Sequence, residues 1–185
     1  AGIILDYRAF DTLGESFVLF TAVCAVTILM NLSPKKRRPL PKEVVNYAAD
    51  PIVAGVCRGL IPVILLFGVY ILLNGHLSPG GGFSGGAVLA AALMIYALVW
   101  GDEAASRTFR ASILQAVVVC SLGFYCLAKS YSFFTGANHL HSIISPGTPG
   151  NILSGGLILP LNVAVGLVVC CTMYSFYMYF RRGEL

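Results

Sequence analysis

The chain has 185 residues, of which 57% are hydrophobic and only 11% are charged, and its formal net charge is +4. An ordinary soluble domain is about 25% charged, so this composition excludes a mainly soluble enzyme. The apolar residues form long runs, each close to the roughly 20 residues that cross a hydrocarbon core about 30 Å thick. These runs predict an all-α membrane protein with five transmembrane helices, at about residues 16–33, 58–75, 85–101, 111–134 and 157–180.

A dense charged cluster precedes the first predicted helix. Asp6, Arg8, Asp11 and Glu15 fall within ten residues, with Thr12 among them. On a helix, Asp11 and Glu15 would share one face, and such a group can hold a hydrated cation or relay protons. The alternative is an interfacial helix end, where Asp11 or Thr12 caps the first helix and carboxylates favour its positive N-terminus.

A basic, proline-rich linker at residues 34–44 separates an N-terminal part, 1–33, from a C-terminal part, 45–185. Its cations and prolines cannot lie in lipid or continue a helix. Ten of the twelve Lys and Arg residues fall on the linker's side of the membrane, and only Arg8 and Lys129 fall on the other. By the positive-inside rule, we predict that the linker and the C-terminus are cytoplasmic, in the inner membrane of the cell. The apolar first five residues are typical of the end of a truncated upstream helix.

The loop before the third helix has five glycines in eight residues. Glycine at this density permits close backbone approach, so the loop can form a re-entrant turn lining a wet pathway. The alternative is a tight turn between two closely packed helices. The loop residues are Pro79, Gly80, Gly81, Gly82, Phe83, Ser84, Gly85 and Gly86. With Ala87, Ala90, Ala91 and Ala92, the last two glycines predict a small-residue packing face. The motif recurs weakly at 141–156, which suggests two parallel helical hairpins.

Lys129 is the one Lys or Arg well inside a predicted helix. Its ammonium group can snorkel to the nearer interface, or it can serve as a proton relay or counter-ion. The six cysteines show no CxxC pairing, so we interpret them mainly as small packing residues. The sequence predicts no metal site, no catalytic residue and no nucleic-acid partner.

The Gly-rich loop and several flanking motifs resemble the B-type subunit of the Mrp multisubunit cation/proton antiporters over about residues 45–181. A second resemblance covers Ile4 to Glu15, which is similar to the C-terminal part of the Mrp A-type subunit. In membrane-bound hydrogenases this part is a separate, small E-type subunit. The motifs that carry the first resemblance are Arg58–Pro62, Phe67–Tyr70, Gly75–Gly86, Pro146–Gly150, Ser154–Gly156 and Asn162–Gly166.

This resemblance implies a non-catalytic membrane subunit that contributes to sodium/proton exchange and to assembly, with other Mrp-type subunits (of the A, C, D, E, F and G types) as partners in the bilayer. The family is related to parts of respiratory complex I. The residues implied in ion or proton handling are Asp6, Arg8, Asp11, Thr12 and Glu15, while the loop from Pro79 to Gly86 would be structural or line the path. No cofactor is expected in this chain, and iron–sulfur clusters and a nickel–iron centre would lie in partner subunits.

The two motifs share one short chain, which favours a membrane-bound hydrogenase or a related ferredoxin-dependent, ion-pumping complex. The alternative is a purely structural scaffold subunit of a freestanding Mrp-type antiporter.

Overall fold

The structure, a computed structural model, describes residues 9–32, 50–75, 80–137 and 157–181. Its five helices are all long and apolar enough to cross a membrane, which confirms the predicted all-α fold. Asp6, Arg8, Pro79 and the linker at 34–44 lie outside the described residues. The helices are α1 (Ala9–Leu32), α2 (Pro51–Leu73), α3 (Gly82–Thr108), α4 (Ala111–Ala137) and α5 (Ile158–Arg181).

The first three helices, α1, α2 and α3, begin earlier than the sequence predicted. α2 begins at Pro51 because the Asp50 carboxylate accepts a hydrogen bond from the Ile52 amide at 2.9 Å, and proline suits the first helical position. α1 already includes Asp11 and Thr12, so the prediction that one of them caps this helix is wrong.

α5 is the central helix of the bundle and contacts each of the other four. Its sequence is mostly apolar, and a larger share of its residues is buried than in any of the other four helices. α2 packs on α3 and α4 on α5, forming two hairpins, while α1 packs on α4 and α5. Most large side chains of α2 are exposed, including Leu66 and Phe67, so its outer face is left for lipid or other subunits.

α3 and α5 run parallel and approach closely along a row of small residues. A Cβ atom on Gly82 would lie 2.6 Å from the Asn162 carbonyl oxygen, and one on Gly86 would lie 2.5 Å from the Gly166 carbonyl oxygen. Ala90 continues this row and is buried. The predicted small-residue face is therefore present but narrower than expected, since Ala87 and Ala91 are exposed.

The helical backbone of α3 is interrupted at Gly101, and the end of α5 is hydrogen-bonded to α3 next to this break. Gly101 has φ 85° and ψ 162°, a conformation that favours glycine. Ala97 belongs to the last turn before the break, where carbonyl groups lack helical partners. Arg181 donates to the Ala97 carbonyl oxygen at 2.8 Å and to the Tyr177 hydroxyl at 2.8 Å. The guanidinium group also lies over the Tyr177 ring.

Candidate functional site

The first turns of α1 place a pair of hydroxyl side chains inside the bundle. Thr12 and Ser16 are buried, with 4% and 1% of their surface exposed, because residues four apart share a helix face. The Ser16 hydroxyl donates to the Thr12 carbonyl oxygen at 2.9 Å, so its oxygen can still accept a hydrogen bond. Asp11 and Glu15, which directly precede them along the chain, are exposed.

α4 supplies the opposite side of this site. Tyr125 is 2% exposed, and its hydroxyl lies near the Thr12 hydroxyl, a buried group that makes no hydrogen bond of its own to the described residues. Lys129 follows four residues later on the same face and is 8% exposed. The structure thus brings the α1 candidate Thr12 to the helix face that carries Lys129, whereas Glu15 lies exposed beside it.

We call this arrangement the polar α1–α4 interface. It consists of four buried residues, Thr12, Ser16, Tyr125 and Lys129, with Glu15 exposed at its edge. A charged side chain within a membrane helix costs at least about 2.5–3.5 kcal/mol and nearly always faces the bundle interior or a wet cavity. The burial of Lys129 places its side chain inside the bundle instead of against lipid. This placement favours the relay or counter-ion interpretation over snorkelling, and the role itself stays a prediction.

An apolar layer underlies the polar α1–α4 interface. Leu122 of α4, one turn before Tyr125, packs with Val118, Val168 and Cys171, and Phe20 of α1 packs against this group. Apart from the weakly polar Cys171 thiol, these side chains offer no hydrogen-bonding group that could replace the hydration of a charge. Ions that reach the polar interface from the end where α1 begins would therefore meet a barrier at this layer.

The Gly-rich loop contacts α5 at Asn162. The sequence had not singled out this residue as a candidate site residue. The Gly82 amide donates to Asn162 Oδ1 at 2.6 Å, and Asn162 Nδ2 donates to the Leu72 carbonyl oxygen at 2.7 Å. One buried amide therefore ties together the end of α2, the start of α3 and α5. The signal in the sequence was a lone Asn within the apolar run that forms α5.

Most of the described loop residues serve packing or capping. The Gly81 amide donates to the Ser84 hydroxyl at 2.9 Å, and Gly82, Gly85 and Gly86 are buried. Phe83 packs against the core cluster around Tyr125. These contacts favour the tight-turn interpretation for Gly80 to Gly86. Within the described ranges, no group of three or more His, Cys, Asp or Glu side chains is placed to hold a metal ion.

Comparison with known proteins identifies the chain's relatives. Uncharacterized protein MJ1307 of Methanocaldococcus jannaschii is 30% identical over 90% of this chain and 70% of its own length. A protein of Rhizobium meliloti, described as the probable A/B subunit of a K(+)/H(+) antiporter, is 28% identical over 55% of this chain, although the matched region spans only 12% of that protein.

A solved structure of similar fold comes from the membrane-bound sulfane sulfur reductase, an archaeal respiratory membrane complex. One of its chains superposes with a TM-score of 0.75 and 26% identity, covering 96% of this chain and 75% of that chain. Residues 52–175 match the family described as a domain related to the MnhB subunit of Na+/H+ antiporter. Since this match covers most of α2 to α5, the chain belongs to the family of MnhB-related antiporter subunits.

Proposed function

We propose that this chain is a membrane subunit of a multisubunit complex that moves cations and protons, and that the polar α1–α4 interface takes part in their passage. The observation that carries the proposal is the burial of Lys129 and Tyr125 on one face of α4, with Tyr125 near Thr12 of α1. Ionisable residues kept inside a membrane bundle commonly mark ion pathways and proton relays.

The chemistry of these side chains suits a relay. Glu15 accepts hydrogen bonds or takes a proton, Lys129 gives up or regains one, and the Tyr125 hydroxyl both donates and accepts. Tyr125 lies one helical turn before Lys129 on the same face of α4. In the proposed relay, the Tyr125 hydroxyl and bridging water carry the proton between the lysine and the carboxylate.

We further propose that residues 1–32 are a fused segment of the A or E type, which includes the predicted ion-handling residues Asp6, Arg8 and Asp11. The description of the Rhizobium meliloti relative as an A/B subunit supports such a fusion. The likeness to the sulfane sulfur reductase chain covers 96% of this chain, so it includes most or all of α1. The expected partners are further Mrp-type membrane subunits.

A redox-driven complex is the assembly that we favour. Its support is the likeness to a chain of a respiratory membrane complex. Mass spectrometry of the complex purified in mild detergent tests this assignment. Iron–sulfur or nickel–iron subunits that copurify with the chain would establish a redox-driven pump. Mrp-type membrane subunits alone would establish a freestanding antiporter and contradict the redox assignment.

The transport proposal is tested with inside-out membrane vesicles that contain the whole complex. Glu15→Gln keeps the size of the side chain but removes its charge, so we expect cation-dependent proton movement to be lost while assembly is unchanged. Asp11→Asn tests the neighbouring carboxylate in the same assay. Arg58→Gln, which removes an exposed charge on α2, is the matched control and should leave transport intact. Full transport by a Glu15→Gln, Asp11→Asn double variant would remove the proposal.

A second candidate function is scaffolding without ion passage. The hydrogen bonds of Asn162 and the close glycine contacts between α3 and α5 support it, because both rigidify the bundle around α5. Under this alternative, charge removal at Glu15 or Lys129 has no effect on transport, whereas enlarging Gly86 dissociates the complex.

A further inference from the structure

A cavity of about 330 Å³ lies between α1, α4 and α5 and opens to the outside of the bundle. Val23, Val118 and Thr172 form its buried part. Ile28 and Val119 also belong to its wall, and each is more than half exposed. Since these helices are long and apolar enough to cross a membrane, the open side of the cavity adjoins lipid hydrocarbon or a neighbouring subunit.

The cavity wall is mainly hydrocarbon, and its hydroxyl groups are already hydrogen-bonded. Thr27, Thr172 and Ser175 each donate to a carbonyl oxygen of their own helix at 2.7 Å. Gln115, which carries the one side-chain amide of the wall, is exposed. A cavity with an apolar lining stays dry and takes up apolar ligands, so this lining fits an acyl chain.

The position of the cavity along the helices matches one leaflet of a bilayer. Its α1 wall runs from Phe20 to Ile28, which spans about 12 Å at a rise of about 1.5 Å per residue. One leaflet contributes about 15 Å of hydrocarbon. Ile28 lies one turn before the end of α1, and the wall residue Leu114 lies one turn after the start of α4. The cavity therefore extends from near the membrane interface into one leaflet.

Arg110 supplies a positive charge at the interface end of the cavity. It directly precedes α4 and is exposed, and its carbonyl oxygen accepts a hydrogen bond from the amide of Leu114 at 3.1 Å. The positive N-terminus of α4 adds to this charge, and the described first turn of α4 contains no acidic residue. Asp11 and Glu15 lie at the opposite end of α1. The mouth of the cavity thus favours an anion.

We infer that this cavity binds one acyl chain of an anionic phospholipid whose phosphate group contacts Arg110 at the membrane interface. Basic pockets between transmembrane helices bind anionic headgroups on the cytoplasmic side, which is the side predicted for Arg110. Lipid tails are as apolar as the cavity wall, so the headgroup charge distinguishes this lipid from others. The bound chain lies against Phe20 and Val118 of the apolar layer and keeps water from it. Lipid binding does not depend on the proposed transport function.

The test uses the whole complex in nanodiscs that contain a phospholipid with a photoreactive diazirine in its acyl chain. One preparation contains phosphatidylglycerol with this tail, and the other contains phosphatidylcholine. After irradiation, mass spectrometry compares adducts on the cavity wall with adducts around Leu66, on the exposed outer face of α2. We expect phosphatidylglycerol to label the wall about fivefold more than phosphatidylcholine does, the effect of one arginine near an anionic headgroup. The region around Leu66 should show no such preference.

Arg110→Gln tests the headgroup contact. This surface variant should remove the preference of the cavity wall for phosphatidylglycerol, while both lipids still label the wall. Because an acyl chain still fills the cavity, the thermal unfolding midpoint should stay unchanged. A fivefold preference that persists in Arg110→Gln would overturn the assignment of the headgroup to this arginine.

Cys24→Trp tests the acyl-chain contact, because Cys24 belongs to the cavity wall and tryptophan would occupy the space of the chain. Cys120→Trp is the matched control, since Cys120 is exposed on α4 and is not a wall residue. We expect adducts on the α4 part of the wall to fall to the level around Leu66 in Cys24→Trp and to stay unchanged in Cys120→Trp. Equal labelling of the wild-type wall by the two lipids would overturn the inference. Absence of wall adducts in the wild type would also overturn it and would identify a cavity covered by a neighbouring subunit.

Discussion

The α3–α5 interface and the polar α1–α4 interface belong to one bundle but bury different kinds of side chain. Between α3 and α5, glycines and alanines bring the backbones together, and the polar contacts involve Asn162 at one end and Arg181 at the other. Between α1 and α4, a lysine, a tyrosine and hydroxyl side chains are buried instead. Close backbone packing suits a rigid frame, whereas buried ionisable groups are costly and suit ion handling.

This contrast predicts that substitutions at the two interfaces affect different properties of the complex. Changes between α3 and α5 should lower stability and assembly. Changes between α1 and α4 should lower transport while assembly is preserved.

Asn162→Leu should be the most destabilising single change. It removes the acceptor for the Gly82 amide and the donor for the Leu72 carbonyl oxygen, and each buried group left unsatisfied costs roughly 1–3 kcal/mol. We expect a clear fall in the thermal unfolding midpoint of the purified complex. Asn74→Leu is the matched control, because the Asn74 amide donates to the Tyr70 carbonyl oxygen at the exposed end of its own helix. An equal fall in both variants would contradict the role of Asn162.

Gly86→Ala should destabilise the α3–α5 interface by about 1–3 kcal/mol, the typical cost of overpacking. The added methyl group would lie 2.5 Å from the Gly166 carbonyl oxygen, a backbone atom that cannot rotate away. Gly123→Ala is the control, since nothing lies within 4 Å of its added Cβ atom. The measurement is the yield of intact complex after detergent extraction. An unchanged yield of intact complex for Gly86→Ala would show that α3 and α5 are less closely packed than in this structure.

Tyr125→Phe removes one oxygen from the polar α1–α4 interface and keeps the ring that packs against Leu161 and Val165. We expect proton movement to slow by about tenfold, equivalent to about 1.4 kcal/mol in the barrier, with a small effect on unfolding. Tyr70→Phe, an exposed tyrosine on α2, should transport normally. Normal transport by Tyr125→Phe would exclude its hydroxyl as a carrier.

Arg181→Met should have the smallest effect, roughly 1 kcal/mol of stability, because the hydrogen bond to the Ala97 carbonyl oxygen is only partly buried and such bonds contribute modestly. Thermal unfolding of the complex measures it, with Arg110→Met, an exposed arginine at the start of α4, as the control. A larger fall for Arg110→Met would contradict the idea that Arg181 fastens the break at Gly101.

The five helices could be predicted from sequence because the length of an apolar run directly reflects the thickness of the bilayer. The end predicted for the third helix, residue 101, falls at the backbone break of Gly101, although helical structure resumes beyond it. The early start of α2 was not predicted, because the prediction followed the apolar run and the Asp50 cap precedes that run. Caps depend on one side chain and not on a pattern of hydrophobicity.

The candidate site was predictable only in parts. The carboxylates before α1 and the lone Lys129 are visible as charges near apolar runs, but their relative position depends on which helices are neighbours. Tyr125 and Ser16 gave no signal because tyrosine and serine are common in membrane helices. Asn162 acts through contacts to residues 80 and 90 positions away, which a single sequence does not reveal.

Cation-dependent proton movement in vesicles that contain the Lys129→Met complex is the decisive test of ion handling by the polar α1–α4 interface. Methionine retains much of the length of lysine but has no group that can bind or release a proton. We expect transport at about a tenth of the wild-type rate or less, normal subunit composition, and full transport in the Arg58→Met control. Wild-type transport by a correctly assembled Lys129→Met complex would contradict the claim and leave the chain as a scaffold.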